Sequence, residues 1–307
     1  MNAMNTPVKS KRHPKPLTIA KALHLPVAQR DYQREIEQLL IHVLDKNQAF
    51  LRTYPEHELT AEQSEQFELL RQAVLDGEPL AYVLGTQAFW TLTLKVTPDT
   101  LIPRPDTEIV VETILKLLPK SKTIHAIDLG TGSGAIALAL AKECPLWMMT
   151  ATDFSRAALN VARENAETHG LKQVRFLLGS WFDAMPDAKQ SPPSSKGGLT
   201  WHETFDLIVS NPPYIDADDV HMAHLRHEPV SALVAEDHGL YDLKTIISLG
   251  LGRLNEHGWL VLEHGHDQGA AVRELMIFAG FNNVHTVQDY GQNDRVTLGR
   301  KAGKLAC

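Results

Sequence analysis

The chain reads as an α/β protein: a doubly wound, mostly parallel seven-stranded sheet preceded by a small helical domain. Three observations predict this. From Thr123 onward, short apolar runs of strand length alternate with helical patterns. Two of these runs stop in turns rich in special residues, Asp128-Leu-Gly-Thr-Gly-Ser-Gly134 and Asn211-Pro-Pro-Tyr214. Upstream of Gly77 the apolar residues instead recur at helical spacing.

Residues 1–27 are expected to form a disordered extension. The first thirty residues hold no acid, carry Lys9, Lys11, Arg12, Lys15, Lys21 and Arg30, and are interrupted by Pro7, Pro14 and Pro16. They lack the apolar core of a secretory signal and the amphipathic pattern of a transit peptide. Residues 28–83 form the expected helical domain. Ile36, Leu39, Leu40, Val43 and Leu44 make one apolar face. Thr60 and Gln63 predict a capping box for a second helix bearing Phe67, Leu70 and Val74, which Gly77 and Pro79 stop. Leu92, Leu94 and Val96 then alternate with polar residues, so 84–105 is read as a hairpin-like connector. Asp106 is the expected N-cap of a helix through Leu118.

The main domain is expected over 106–302. Ile124–Leu129, Leu146–Ala151, Val174–Leu178, Phe205–Ser210 and Trp259–Glu263 read as strands. Val284–Val287 and Arg295–Gly299 read as a closing antiparallel pair. Helices are expected from near Gly134, Ser155, Gly239 and Gln268. A Ser/Pro/Gly-rich insertion at 187–203 has no apolar period. It enters the strand Phe205–Ser210 from its amino end, which places it away from the Asn211 turn.

Bulk properties narrow the function. The 307 residues are 43% hydrophobic and 22% charged, as in ordinary globular proteins. A formal charge of −7 argues against a general role in coating nucleic acid. The longest apolar run, Ala135–Ala141, is too short to span a bilayer. With Cys144 and Cys307 the only cysteines, no disulfide framework is suggested and a reducing cytoplasm fits.

Chemistry concentrates at two strand ends. Pro212 and Pro213 supply no backbone N–H and fix φ near −65°, so the strand stops in a rigid elbow at Asn211. The Asn211 side chain and the adjacent carbonyls are acceptors that match the two hydrogens of a planar –NH2 group. Tyr214 adds a face on which such a group can stack. A capped Pro-Pro turn without a ligand satisfies the same four residues. The run Gly130-Thr131-Gly132-Ser133-Gly134 lets backbone approach a ligand at a helix N-terminus. Asp153 ends the next strand, where a carboxylate accepts ribose hydroxyls. Gly130, Gly132 and Ala135 also satisfy a dinucleotide pattern loosely. Asp128, two residues before the first glycine, suits an amino group better than a pyrophosphate. The trio His221, His224 and His227 lacks a zinc-protease motif and is read as polar surface, so no metal is expected. Cys144 is read as structural, and Glu263 as a strand-end acid of either role.

Together these residues resemble the class I S-adenosyl-L-methionine-dependent methyltransferases, and among them the glutamine N5-methyltransferases of peptide-chain release factors. The resemblance runs from about Glu78 to Arg300. It is carried by Phe89-Trp90, Leu101-Ile-Pro-Arg-Pro-Asp-Thr-Glu108, the glycine run, Asp153, Trp181-Phe182, Asn211-Pro-Pro-Tyr-Ile215, Glu228-Pro229, Glu263-His-Gly265 and Asp289-Tyr-Gly with Arg295. It implies that Gly130, Thr131, Gly132, Ser133, Gly134, Asp153, Trp181 and Asn211 contact the cofactor. It further implies that Asn211, Pro212, Pro213 and Tyr214 bind the substrate glutamine, with Asn211, Pro212 and Tyr214 orienting its nitrogen. The helical front domain would help recognise the release factor. Ser180 departs from the pattern, since such proteins often carry an acid there. The expected activity is methyl transfer to the N5 amide in the Gly-Gly-Gln motif of class-1 release factors, in the cytoplasm, with no membrane and no stable nucleic-acid partner. Alternatives are a ribosomal protein glutamine, or an amino group on RNA or DNA.

Overall fold

The computed structural model describes residues 16–185, 204–220, 222 and 225–303. The chain divides after Leu84 into two compact units.

The first unit is helical: α1 (Ile19–Ala22), α2 (Gln33–Leu44), α3 (Gln48–Thr53), α4 (Ala61–Leu75) and α5 (Leu80–Leu84). The apolar face expected on α2 is buried in full, and Phe67 and Val74 of α4 pack into the same core. The capping box is present: Gln63 N–H donates to Thr60 Oγ1 at 3.2 Å, and Thr60 N–H donates to Gln63 Oε1 at 3.0 Å. The expected extension over 1–27 needs correction in its described part. Ile19, Ala22 and Leu25 are buried in this core, and Thr18 bridges Glu58. Ile19 and Leu25 outweigh the basic composition around them, because fully burying each such side chain stabilises by roughly 1.5–3 kcal/mol. Residues 1–15 lie outside the described residues.

The second unit opens with an antiparallel hairpin, β1 (Thr86–Phe89) and β2 (Leu92–Lys95). This hairpin, expected as a connector, buries Phe89, Leu92 and Leu94 in one core with the sheet below. There follow α6 (Glu108–Leu117), β3 (His125–Leu129), α7 (Ala135–Glu143), β4 (Met148–Asp153), α8 (Arg156–Thr168), β5 (Val174–Leu178) and β6 (Phe205–Ser210). The chain closes with the single turn α9 (Glu236–Gly239), then α10 (Tyr241–Arg253), β7 (Leu254–Glu263), α11 (Gly269–Phe278), β8 (Asn282–Gln288) and β9 (Asp294–Arg300). The sheet order is β5-β4-β3-β6-β7-β9-β8, parallel from β5 through β7, with β9 antiparallel to both neighbours. This is the seven-stranded, doubly wound sheet expected. The order reverses between β3 and β6, whose carboxyl ends therefore face a crevice at the topological switch point.

Two local readings shift. β4 begins two residues later than expected, so Asp153 is its last residue. Asp106 is not the N-cap of α6: a 3-10 turn Pro105–Thr107 leads in, and the Asp106 carboxylate instead meets Arg295 at 3.4 Å. Pro105 supplies the turn's fixed φ, which moves the helix start past Asp106. The insertion at 187–203 lies outside the described residues.

Candidate active site

Three strand ends deliver the site. β3 ends at Leu129 and runs into the glycine turn. Gly130 adopts φ +71°, and a Cβ there would stand 3.3 Å from Trp181 Cζ3. Gly134 adopts φ +88°, and its Cβ would meet Leu138 Cδ1 at 2.9 Å. Both positions demand glycine, one for access and one for packing of α7 onto its surroundings.

β4 delivers Asp153. Its Oδ2 accepts from Gly132 N–H at 2.9 Å and its Oδ1 from Ser155 N–H at 2.8 Å. The carboxylate therefore holds the glycine turn in place while each oxygen keeps a lone pair for a ligand. Burial raises its proton affinity above the usual carboxylate range, and the two N–H donors oppose that shift.

β6 delivers the elbow. Ser210 Oγ donates to Leu129 O at 2.6 Å, locking β6 to β3 at the crevice. Asn211 Nδ2 donates to Thr107 Oγ1 at 3.3 Å.

A cavity of about 400 Å³ opens among these ends, and Gly130, Gly132, Asp153, Trp181, Asn211 and Pro213 line it. Thr131, Ser133, Gly134, Pro212 and Tyr214 are not in its wall. Thr131 donates to Asp128 at 2.7 Å, Ser133 O accepts from Asn165, and Pro212 is buried. The Tyr214 hydroxyl lies 3.4 Å from Glu263 Oε1, and burial beside that acid raises its proton affinity.

Asp128 corrects the reading that suited it to a ligand amino group. It is 1% exposed, its Oδ2 accepts from Thr131 and from Ala137 N–H, and its Oδ1 has no hydrogen-bond partner. Burial pushes its carboxyl up to about 7. Its work is to pin the glycine turn to the start of α7.

Several wall residues escape sequence reasoning. Phe154 is 58% exposed at the cavity, an aromatic placed directly after Asp153. Its position after a strand-end acid was the available signal. Asp242 lines the cavity and accepts from the Trp181 side chain, a pairing with no local signature. Pro98–Leu101, and Pro229 with Ser231 and Ala232, supply another part of the wall. Buried Glu228 ties these two segments, accepting from Ile102 N–H at 3.0 Å and pairing with Arg104. Ser180 lines the cavity as well.

Other motifs meet in pairs. Trp90 N–H donates to Glu108 at 2.8 Å. Arg295 bridges Asp289 at 3.1 Å and Asp106 at 3.4 Å. His227 accepts from Arg226 Nε, while His221 and His224 lie outside the described residues. Among the described residues no cluster of His, Cys, Asp or Glu is placed to hold a metal, and no helix is long and apolar enough to cross a membrane. Cys144 is buried, which pushes its thiol up to about 11.

The cavity suits an adenosylmethionine-sized ligand. Bare glycine backbone, an acid with spare acceptor capacity and two aromatics surround it.

Comparison with known proteins bears on this arrangement. Residues 120–256 match the family model described as a methyltransferase domain, and residues 25–85 match the PrmC N-terminal domain. A release factor glutamine methyltransferase from Escherichia coli is 43% identical over 270 residues, covering 87% of this chain and 92% of that protein. Among solved structures, a methyltransferase from Pyrococcus furiosus superposes with a TM-score of 0.50 at 21% identity, over 76% of this chain and 98% of its own. The 16S rRNA N2 G1207 methyltransferase of T. thermophilus, in complex with AdoMet and guanosine, gives 0.50 at 18% identity, over 70% and 49%. These two likenesses speak to the fold. On the sequence match, the chain belongs to the release factor glutamine methyltransferase family.

Proposed function

We propose that this protein transfers the methyl group of S-adenosyl-L-methionine to the N5 side-chain amide of the glutamine in the Gly-Gly-Gln motif of class-1 release factors. One observation carries the reading: Asn211 and Pro213 of the elbow line one cavity with Gly130, Gly132 and Asp153, 58 or more residues away in sequence, in a chain of this family. Bound there, adenosylmethionine supplies an electrophilic methyl group. Asp153 would accept its ribose hydroxyls, Gly130 and Gly132 would admit it to bare backbone, and Trp181 and Phe154 would offer apolar surface to its flat part. Thr131, Ser133 and Gly134 support the turn from behind.

An amide nitrogen is a weak nucleophile, because its lone pair is delocalised into the carbonyl. The protein's contribution is accordingly orientation. Asn211 Oδ1 and the Pro212 carbonyl take the two N–H groups, with Pro213 in the wall and Tyr214 backing the elbow. The helical first unit contributes recognition of the release factor. The reaction belongs to the cytoplasm, with no nucleic acid needed for catalysis.

Purified protein with labelled adenosylmethionine should methylate purified release factor at the Gly-Gly-Gln glutamine. Ribosomal proteins and RNA serve as parallel acceptors. Label appearing in either of these, with none in release factor, would overturn the assignment.

A further inference from the structure

An amide side chain recognises a substrate –NH2 only when it is the right way round. One end of Asn211 accepts and the other donates. A half-turn of the side chain would point its own hydrogens at those of the substrate. Some neighbour must therefore tell the two ends apart, and it does so only if its own hydrogen is committed elsewhere.

Thr107 is that neighbour. It is 4% exposed on the turn before α6, with Oγ1 at 3.3 Å from Asn211 Nδ2. A free hydroxyl both donates and accepts, so alone it would bond either end of the amide. Glu263, the last residue of β7, removes that freedom. It is 1% exposed; Oε1 accepts from Tyr214, while Oε2 is buried without a normal hydrogen bond. The Thr107 hydroxyl faces this same carboxyl as a hydrogen-bonding group. A buried acceptor left without a hydrogen bond is costly, the more so when charged, which draws the Thr107 hydrogen toward Glu263. The lone pairs of Thr107 then remain for Asn211 Nδ2, and Oδ1 is turned to the cavity.

We propose that Thr107, polarised by Glu263, is the positioning residue that sets the orientation of the Asn211 amide and so selects an –NH2 acceptor. This rests on the substrate reading above. Burial and the Asp106 charge push this carboxyl up to about 7, while Thr107, Arg295 and the Tyr214 hydroxyl favour its ionised form, so above that value it is an acceptor. Thr107 acts through Asn211 and touches no substrate itself.

The test compares the parent with Thr107→Val, which keeps shape and loses the hydroxyl, and with Thr107→Ser, which restores it. Assays run near pH 8, above the value of about 7 to which burial raises Glu263, so that this acid is ionised. With release factor as substrate, kcat of Thr107→Val should fall roughly 10- to 100-fold, while adenosylmethionine affinity by calorimetry stays within about twofold. Thr107→Ser should recover to within a few-fold of the parent. Independently of any substrate, NMR of the Asn211 side-chain amide should show a hydrogen protected from exchange in the parent and in Thr107→Ser, but not in Thr107→Val. Parent-like kcat in a folded Thr107→Val, or an unchanged amide signal, overturns the proposal. So does a parallel loss of adenosylmethionine affinity, which marks a merely structural role. A parent that methylates no release factor defeats the substrate reading instead, and the amide signal still decides the orientation.

Discussion

Replacing Asn211 by Ala takes away the side-chain acceptor of the elbow and leaves the turn from Gly130 to Gly134 untouched. Methyl transfer to release factor should then fall on the order of 100-fold, while adenosylmethionine binding survives. Steady-state rates beside a calorimetric titration distinguish the two effects; near-parent turnover would contradict the orientation mechanism. Asp153→Ala has the opposite signature. It removes a charged acceptor worth roughly 1.5–3 kcal/mol per hydrogen bond, and it also frees Gly132 N–H and Ser155 N–H. Calorimetry should show weakened adenosylmethionine binding with the fold retained in far-UV circular dichroism. Unchanged affinity would mean that Asp153 serves the turn alone.

Elements differ in how local their causes are. The capping box of α4 is written in four consecutive positions, and both of its hydrogen bonds are present. Thr60→Ala should cost about 1 kcal/mol, read as a lower denaturant midpoint for unfolding of the first unit. The turn after β3 is less local. Gly130 needs its positive φ and also the space that a Cβ would take from the Trp181 ring. Gly130→Ala should therefore combine about 1–2 kcal/mol of backbone strain with weaker adenosylmethionine binding, separable by thermal melts with and without ligand. A variant that binds as tightly as the parent would show that backbone approach at this glycine is unnecessary. The hairpin before α6 pairs its own two strands but also relies on partners outside itself. Asn165 on α8 bonds both the N–H and the O of Lys95 and the Ser133 carbonyl, joining the hairpin to the glycine turn.

At the scale of the whole molecule, buried acids set the response to pH. Asp128 is pushed up to about 7 when folded, against roughly 3.9 in an unfolded chain. Between those values the folded state holds a proton that the unfolded state releases. This group's contribution to stability is then present below about pH 4 and is lost as pH rises toward 7, at no more than about 1.4 kcal/mol per pH unit. Asp128→Asn should lower stability overall yet flatten the stability profile between pH 4 and 7. Urea titrations at half-unit intervals measure that slope. Parallel profiles for parent and variant would mean that Asp128 is ionised in the folded protein. Glu263, raised to about 7 as well, adds a slope of the same sign, so the flattening should be partial.

Period and punctuation in the sequence determined the strand segments, the helices and the two strand-end turns, because each is marked by a pattern within a few residues. Alternation in Leu92 and Leu94, the 3.6 period of α2, the stop at Pro212-Pro213 and the glycines after β3 were all legible for that reason. So were Asp153 and Asn211, since strand ends at a switch point face the crevice whatever surrounds them. Tertiary structure decided what lies between distant segments. It turned Asp128 inward, set Tyr214 against Glu263, and placed Phe154 and Asp242 in the wall beside Trp181. It also drew Ile19, Ala22 and Leu25 into a core, against the basic composition around them. No local pattern encodes these outcomes. A side chain's partner depends on which remote surface must be buried against it, and that is settled only when the whole chain packs.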